Sequence, residues 1–291
     1  MDENTIVVGV DGSQPSHMAV RWAANRAERQ GARLLLVHVV GDTPSRDSDD
    51  ELVQAARRIA EIAAPSVAVS TQLVSGDPMW SLADGYPDAG AIVVGSHKTG
   101  FLRGSSFGSG SLQLASVSTA PVIVIPSTVS PTSSGIVVGL DDSPDGRAAL
   151  DLAVRFADVE QQTLTVARCV PPSTGRRGGD GEALAIAALS AARRRVSVLA
   201  PGVQVRSRIV HGLPAQALIR ASARSSLLVV GRSQGTGDPS PMGRVAHDVL
   251  LNLVAPTAVV GASRARAAGR APDVATDGTF DSAVNASGPV Q

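Results

Sequence analysis

The chain has 291 residues with 26 basic and 26 acidic side chains, a net charge of zero, and 43% apolar residues of which few are aromatic. This neutrality argues against a nucleic-acid binder held by bulk electrostatics, and the lone Cys169 excludes an intrachain disulfide or cysteine metal site. A polar, acidic start and the lack of an 18-residue apolar run predict a chain without signal peptide or membrane span, in a reducing cytoplasm.

The first half of the chain reads as strands alternating with helices. Short apolar runs predict buried strands, and helical periodicity or a capping residue predicts the segments between them. The predicted strands are 6–10, 34–40, 67–73, 91–95 and 122–126, and the predicted helices are 16–31, 47–64, 78–84 and 108–118.

The same pattern then occurs a second time. Residues 6–13 read IVVGVDGS and residues 136–143 read IVVGLDDS, while 93–96 and 120–122 recur at 229–232 and 255–257. A repeat of this length indicates a duplicated domain rather than a solenoid. We therefore predict a first domain at 1–130, a second domain at 131–262 and a disordered tail at 263–291. The Ser-rich segment 127–134 is the predicted linker across the boundary between the two domains.

The second half is predicted to have strands at 136–140, 164–170, 203–210, 227–231 and 258–261. Strands that alternate with helices favour parallel sheets, so the predicted fold class is α/β, with two tandem open five-stranded parallel sheets covered by helices. The final strand of each half is apolar, and an unpaired edge invites pairing. We expect the two halves to pack through these strands as a pseudo-dimer.

Ligands in open parallel sheets bind beyond the carboxyl ends of the strands, where the strand order reverses. Asp11 follows the first strand, Val39 lies at the end of the second, and a loop rich in glycine and serine runs from Gly95 to Ser111 after the fourth. Glycines allow close backbone approach, and free amides at a helix start attract anions. The sequence outlines an anion site here.

These residues resemble the universal stress protein family in its tandem form, over about residues 4–262. The resemblance rests on seven short sequence segments: VGVDGS at 8–13, WAA at 22–24, GA at 31–32, HVV at 38–40, VSGDP at 74–78, VVGS at 93–96 and APVIVIP at 120–126. It implies the Rossmann-like, adenine-nucleotide alpha-hydrolase-like fold. The richness in Ala and Arg is typical of a high-GC actinobacterium.

Nucleotide-binding members of this family share the pattern glycine, two residues, glycine, nine residues, glycine and a serine or threonine. Gly95, Gly108 and Ser109 match it, and Lys98 stands at the middle glycine. The resemblance implies that Gly108, Ser109 and Ser111 hold phosphates, that Asp11 meets adenine or ribose, and that the Val39 backbone meets adenine. The implied cofactor is ATP, with Mg²⁺, or alternatively AMP or cyclic AMP.

The second half departs from this pattern, so binding is expected mainly in the first. Gly231, Gly243 and Asp141 keep their positions, but Arg244 replaces the serine. In the loop between Gly231 and Gly243, Gln234 replaces the middle glycine of the pattern. The same loop contains Asp238, Pro239 and Pro241. Prolines remove amide donors and the carboxylate opposes phosphate, while Arg232 and Arg244 offset part of this loss.

Several candidate residues also have a purely structural interpretation. Asp11 can cap its own turn. His38 and Cys169 lie in apolar strands as core residues, and Trp22 packs a helix on the sheet. Lys98 is either an exposed loop charge or a phosphate contact.

The leading functional prediction is a nucleotide-binding stress-response regulator rather than a catalyst. The P-loop spacing is absent, and no carboxylate pair stands in the first-half loop, so hydrolysis should be slow. The alternatives are a weak adenine-nucleotide hydrolase and a nucleotide-free interaction module. An unidentified protein partner and a homo-oligomer formed through the final strands are expected.

Overall fold

The computed structural model describes residues 4–40, 46–96, 109–170, 178–232 and 242–262. The elements of the first half are β1 (Thr5–Gly9), α1 (Gln14–Gln30), β2 (Arg33–Val40), α2 (Arg46–Ala63), β3 (Val69–Ser75), α3 (Pro78–Gly85), β4 (Ala91–Gly95), α4 (Ser109–Val117) and β5 (Val122–Ile125). Those of the second half are β6 (Ile136–Leu140), α5 (Pro144–Val159), β7 (Leu164–Val170), α6 (Gly178–Leu199), β8 (Val205–His211), α7 (Pro214–Ser222), β9 (Leu227–Gly231), α8 (Arg244–Leu251) and β10 (Thr257–Val260).

The predicted α/β class is confirmed, with small shifts at element ends. Helix α1 begins at Gln14 rather than at residue 16, because the Ser13 side chain accepts a hydrogen bond from the Ser16 amide at 3.2 Å and Pro15 fits a first helical turn. Ser143 caps α5 in the same way, through the Gly146 amide at 2.9 Å. The duplication thus extends to the caps of equivalent helices.

The strands form one ten-stranded sheet in the order β3-β2-β1-β4-β5-β10-β9-β6-β7-β8. Pairing is parallel within each half, and β5 joins β10 in antiparallel register, with Ile123 opposite Ala258. The predicted packing of the halves through their final strands is therefore confirmed. Both edges of β5 and of β10 are used inside the chain, which corrects the expectation that whole chains associate through these strands.

The sheet is buried on both faces, as its nearly continuous apolar strands require. One core lies beneath α1, α2, α5 and α6 and receives Ile6 and Val8 of β1. The other lies beneath α3, α4, α7 and α8 and receives Val7. Alternate residues of a single strand therefore enter opposite cores, and helices cover both sides of the sheet.

A buried ion pair also joins the two halves, between α1 and the end of α5. Arg26 is 1% exposed, and its guanidinium lies between the Trp22 and Phe156 rings, 4.5 and 4.6 Å from their centroids. Its Nε donates to Glu160, whose side chain is fully buried and also accepts from Gln30 at 3.0 Å. Trp22 packs on the core, as predicted, and additionally supports this cation.

No helix in the described ranges has both the length and the apolar character needed to cross a bilayer. The tail predicted at 263–291 lies outside the described residues.

Candidate functional site

The strand order places one reversal point in each half. In the first half the chain leaves β1 toward β2 on one side, while β4 pairs on the other side of β1. The equivalent point in the second half lies between β6 and β9. Crevices at the carboxyl ends of such strand pairs are where open α/β sheets bind ligands.

Asp11 lies at the first of these crevices, on the exposed turn after β1. Its Oδ1 accepts a hydrogen bond from the Ser13 amide at 3.0 Å, and its own amide donates to Ser16 Oγ at 3.3 Å. The structural role predicted for Asp11 is therefore real, since this carboxylate holds the turn that starts α1. A carboxylate fixed in this manner is also preorganised for a ligand donor.

Val39 lies beyond the last paired residue of β1. The β1–β2 register ends at Gly9 opposite Val37, and the Val10 amide donates to the Val37 carbonyl at 2.8 Å. The Val40 carbonyl accepts from Gly76, on the β3 side. Because successive residues of a parallel strand turn their amides and carbonyls to opposite sides, the Val39 backbone faces the β1 side, over the crevice.

Gly95 allows α1 to approach the end of β4. A Cβ atom at this position would lie 2.4 Å from the Pro15 carbonyl carbon and 2.7 Å from the Ser16 amide nitrogen. The next residue, Ser96, is buried, and its amide donates to the Ile125 carbonyl at 2.8 Å. The glycine thus brings the turns after β1 and β4 together at the two walls of the crevice.

The remaining first-half candidates belong to the loop that follows β4. Lys98 and Gly108 lie outside the described residues, and Ser109 is the first residue of α4. Ser111 is half-buried in the first turn of that helix, and Gly110 lies against Met79 of α3, whose Sδ would be 3.1 Å from an added Cβ. The start of α4 is therefore anchored on α3.

The second crevice has the same frame, with its charges bound internally. Asp141 accepts from both the amide and the hydroxyl of Ser143, and Asp142 accepts from Arg168 at 2.6 Å. A Cβ atom added at Gly231 would lie 2.8 Å from the Asp145 carbonyl carbon, as one at Gly95 would lie against Pro15. The two acidic side chains after β6 are therefore both engaged by neighbouring groups of the protein.

The two arginines expected to support phosphate here differ in position, and only Arg232 is turned away from this role. Arg232 donates from Nη1 to the Ser118 carbonyl of the first half at 2.7 Å and lies against Gly261. It directly follows β9, and its amide donates to the Val260 carbonyl of β10, the strand that joins the two halves. The predicted compensating role of Arg232 is therefore corrected. Arg244 is the exposed first residue of α8, and Gly243 caps that helix without a side chain.

Two residues near the crevices were missed by sequence reasoning. Asp49 of α2 contacts His38 Nε2 at 3.3 Å, and Arg168 of β7 donates to the Leu140 carbonyl at 3.2 Å. The 130-residue offset of the repeat aligns Arg168 with His38, so this signal was present in the sequence. His38 was predicted to be a satisfied core residue; it is partly buried, and its Nδ1 lies 2.8 Å from the Val10 carbonyl.

Cys169 occupies the second-half position that Val39 has in the first half. It is half-buried, and its thiol donates to the Gly212 carbonyl at 3.3 Å. Burial raises the pKa of the Cys169 thiol, although Arg168 acts in the opposite direction. Within the described ranges no three side chains of His, Cys, Asp or Glu cluster as metal ligands.

Comparison with known proteins gives consistent matches over both halves. A model of the universal stress protein family matches residues 3–126 and again 134–261. A universal stress protein of Mycobacterium tuberculosis is 34% identical over 171 residues, and the chain spans 63% of that relative's length. One from Mycolicibacterium smegmatis is 26% identical, over 89% of this chain and 97% of the relative.

A solved structure of the same kind covers most of the chain. The crystal structure of a universal stress protein from Archaeoglobus fulgidus superposes with a TM-score of 0.66 at 18% identity, over 90% of this chain and 100% of the other. The arrangement of strands and helices described above is therefore one that is found in experimental structures.

Proposed function

The chain belongs to the universal stress protein family, and from this premise we propose that its first half binds an adenine nucleotide. The proposed domains are residues 1–130 and 131–262. Bound nucleotide would stabilise one conformation of the first half and so couple the adenylate level to the surface seen by a protein partner. The proposed setting is the cytoplasm, where the protein acts as a stress-response regulator.

The observation that carries this proposal is the geometry of the first crevice. Asp11 and the backbone of Val39 lie at the carboxyl ends of the neighbouring strands β1 and β2, and Gly95 lies at the end of β4 across the reversal point. An adenine ring needs backbone donors and acceptors at its edge, a ribose needs an acceptor for its hydroxyls, and phosphates need free amides at a helix start. Val39, Asp11 and the start of α4 are the groups that we propose for these three roles.

The second half, with Asp141, Gly231 and Gly243, is proposed to bind nucleotide more weakly than the first. Asp142 places a second carboxylate beside Asp141, Arg244 stands at the serine position, and Arg232 donates to the Ser118 carbonyl of the first half. The sequence between Gly231 and Gly243 also contains Asp238, Pro239 and Pro241, and a carboxylate repels phosphate while proline has no amide to donate. We therefore expect nucleotide to occupy the first half more than the second.

Mass spectrometry of the native and the denatured full-length protein tests the proposal. The expected result is release of about one equivalent of ATP, AMP or cyclic AMP, and a rise in the thermal midpoint when the stripped protein is given ATP. No released nucleotide and no thermal shift with any of the three would support a pure interaction module instead. ATP converted to ADP by the stripped protein within hours would support a weak hydrolase.

A further inference from the structure

We infer that the His38–Asp49 pair positions the end of β1 for the first-half site and makes that site sensitive to pH. This inference deepens the proposed function and rests on it only for its binding experiment. His38 contacts the carbonyl of Val10, the residue before Asp11, and stands directly before Val39 in β2. A contact that fixes His38 therefore also fixes the carboxyl ends of β1 and β2 relative to each other.

Both ring nitrogens of His38 face oxygen atoms that accept hydrogen bonds. Nδ1 lies 2.8 Å from the Val10 carbonyl oxygen and Nε2 lies 3.3 Å from Asp49 Oδ1. Both partners only accept hydrogen bonds when Asp49 is ionised, and neutral imidazole has a single N–H to donate. Only the imidazolium satisfies both contacts, and either neutral tautomer places a ring lone pair against an oxygen.

The Asp49 carboxylate reinforces this dependence. Its side chain is 17% exposed, and its Oδ2 atom is buried without a hydrogen-bond partner. A buried carboxylate without a facing cation is unfavourable, so loss of the His38 proton removes the main compensation for Asp49. The expected response is a loosening of α2 from the end of β1.

The elements around His38 offer few other charges to take over this role. Strands β1 and β3 contain no titratable side chain, and the residue opposite His38 on β3 is Leu73. Among the described residues, the adjoining turn and helices carry Asp11 after β1, His17 and Arg21 on α1, and Asp49, Asp50 and Glu51 on α2. Of these, Asp49 is the group in hydrogen-bond contact with the ring.

The second half provides an internal comparison with a permanent cation. Arg168 takes the place of His38, donates to the Leu140 carbonyl at 3.2 Å as His38 faces that of Val10, and pairs with Asp142 at 2.6 Å. Arginine keeps its charge at every physiological pH, whereas histidine changes charge between about pH 5 and 8. The same link between neighbouring strands is thus fixed in one half and protonation-dependent in the other.

Nuclear magnetic resonance of the nucleotide-free, full-length protein tests the positioning role directly. At pH 5.5 both ring nitrogens of His38 should carry protons. As the pH rises to 8.5, the backbone amide signals of Asp11 and Val39 should move with the same midpoint as the ring. In His38→Arg these amide movements should disappear, although His17 is retained. If the amide signals of Asp11 and Val39 do not move while the His38 ring changes protonation, the inference is wrong.

Calorimetric titration with ATP at pH 6.0 and 8.5 tests its consequence for binding. Between pH 6.0 and 8.5, the affinity of the wild-type protein for ATP should fall by about fivefold or more beyond any fall seen in His38→Arg. The variant is the control because ATP itself changes protonation in the same way in both titrations. Asp49→Asn is the second variant, and its ATP affinity should also change less between the two pH values than that of the wild-type protein. Equal pH dependence in all three proteins would contradict the inference. Absence of ATP binding at either pH would overturn the proposed function, and the resonance experiment would still decide the positioning role.

Discussion

At the scale of single residues, Asp11 combines a structural and a proposed binding role. Its Oδ1 holds the Ser13 amide, and its position places the carboxylate at the rim of the first crevice. Asp141 makes the equivalent contact with Ser143 in the second half. The two aspartates thus hold the same turn in the two halves, and we expect only Asp11 to contribute strongly to nucleotide binding.

Asp11→Ala should weaken ATP binding about ten- to a hundredfold, because a lost charge-assisted hydrogen bond costs roughly 1.5–3 kcal/mol. Isothermal titration calorimetry on the full-length variant measures this, with Asp141→Ala as the control that should retain wild-type affinity. A folded Asp11→Ala protein with unchanged affinity would remove Asp11 from the site.

Gly95→Ala should lower the free energy of unfolding by about 1–3 kcal/mol, since the added Cβ would overlap the Pro15 backbone at 2.4 Å and force α1 from β4. Urea denaturation measures the change. Gly202→Ala is the matched control, because a Cβ at Gly202 meets nothing within 4 Å. Equal stability of the two variants would show that α1 does not depend on this close approach.

At the scale of elements, helices α1 and α5 share their caps but end differently. Helix α1 ends at Gly31 with φ 61°, in the left-handed region that glycine tolerates. At the repeat-equivalent position after α5, Gln161 has φ 52°. A side chain in this region costs roughly 1–2 kcal/mol. The second copy therefore carries backbone strain that the first copy avoids.

Gln161→Gly should raise the free energy of unfolding by about 1 kcal/mol by relieving this strain. Gly31→Ala should lower it by a similar amount, since nothing lies within 4 Å of an added Cβ there and only the backbone conformation changes. Paired urea titrations give both values. A destabilised Gln161→Gly protein would indicate that the Gln161 hydrogen bond to Asp158 outweighs the strain.

At the scale of the whole molecule, the halves are held by the β5–β10 junction and by the buried pair of Arg26 and Glu160. Burial lowers the pKa of Arg26 to about 10, even though the charge and the hydrogen bond of Glu160 act to raise it. Desolvation therefore outweighs the attraction, as is common for buried ion pairs. The pair specifies how the halves meet more than it stabilises them.

Arg26→Met should destabilise the protein by roughly 3–5 kcal/mol, because it leaves the fully buried Glu160 carboxylate without its main cation. The double variant Arg26→Met, Glu160→Met should recover most of this loss, since two apolar side chains need no compensation. Chemical denaturation of the two variants and of Glu160→Met completes the cycle. A double variant as unstable as the sum of both single changes would contradict this account.

The sequence by itself determined the elements and the duplication, and it placed the proposed site at the carboxyl ends of the strands. Alternation of apolar runs with helical periods is a local property, so the strands and the α/β class follow from it, and the repeat predicts that β5 and β10 pair. Asp11, Val39 and Gly95 were identifiable because strand ends and glycine turns are also read locally.

Only the tertiary structure decided which distant groups meet. Arg26 and Glu160 are 134 residues apart, and Arg232 reaches Ser118 across 114 residues. His38 and Asp49 are closer in sequence, but their contact depends on how α2 packs against the sheet. Long side chains can reach several partners of suitable charge, and the choice depends on the packing of elements that no local pattern encodes.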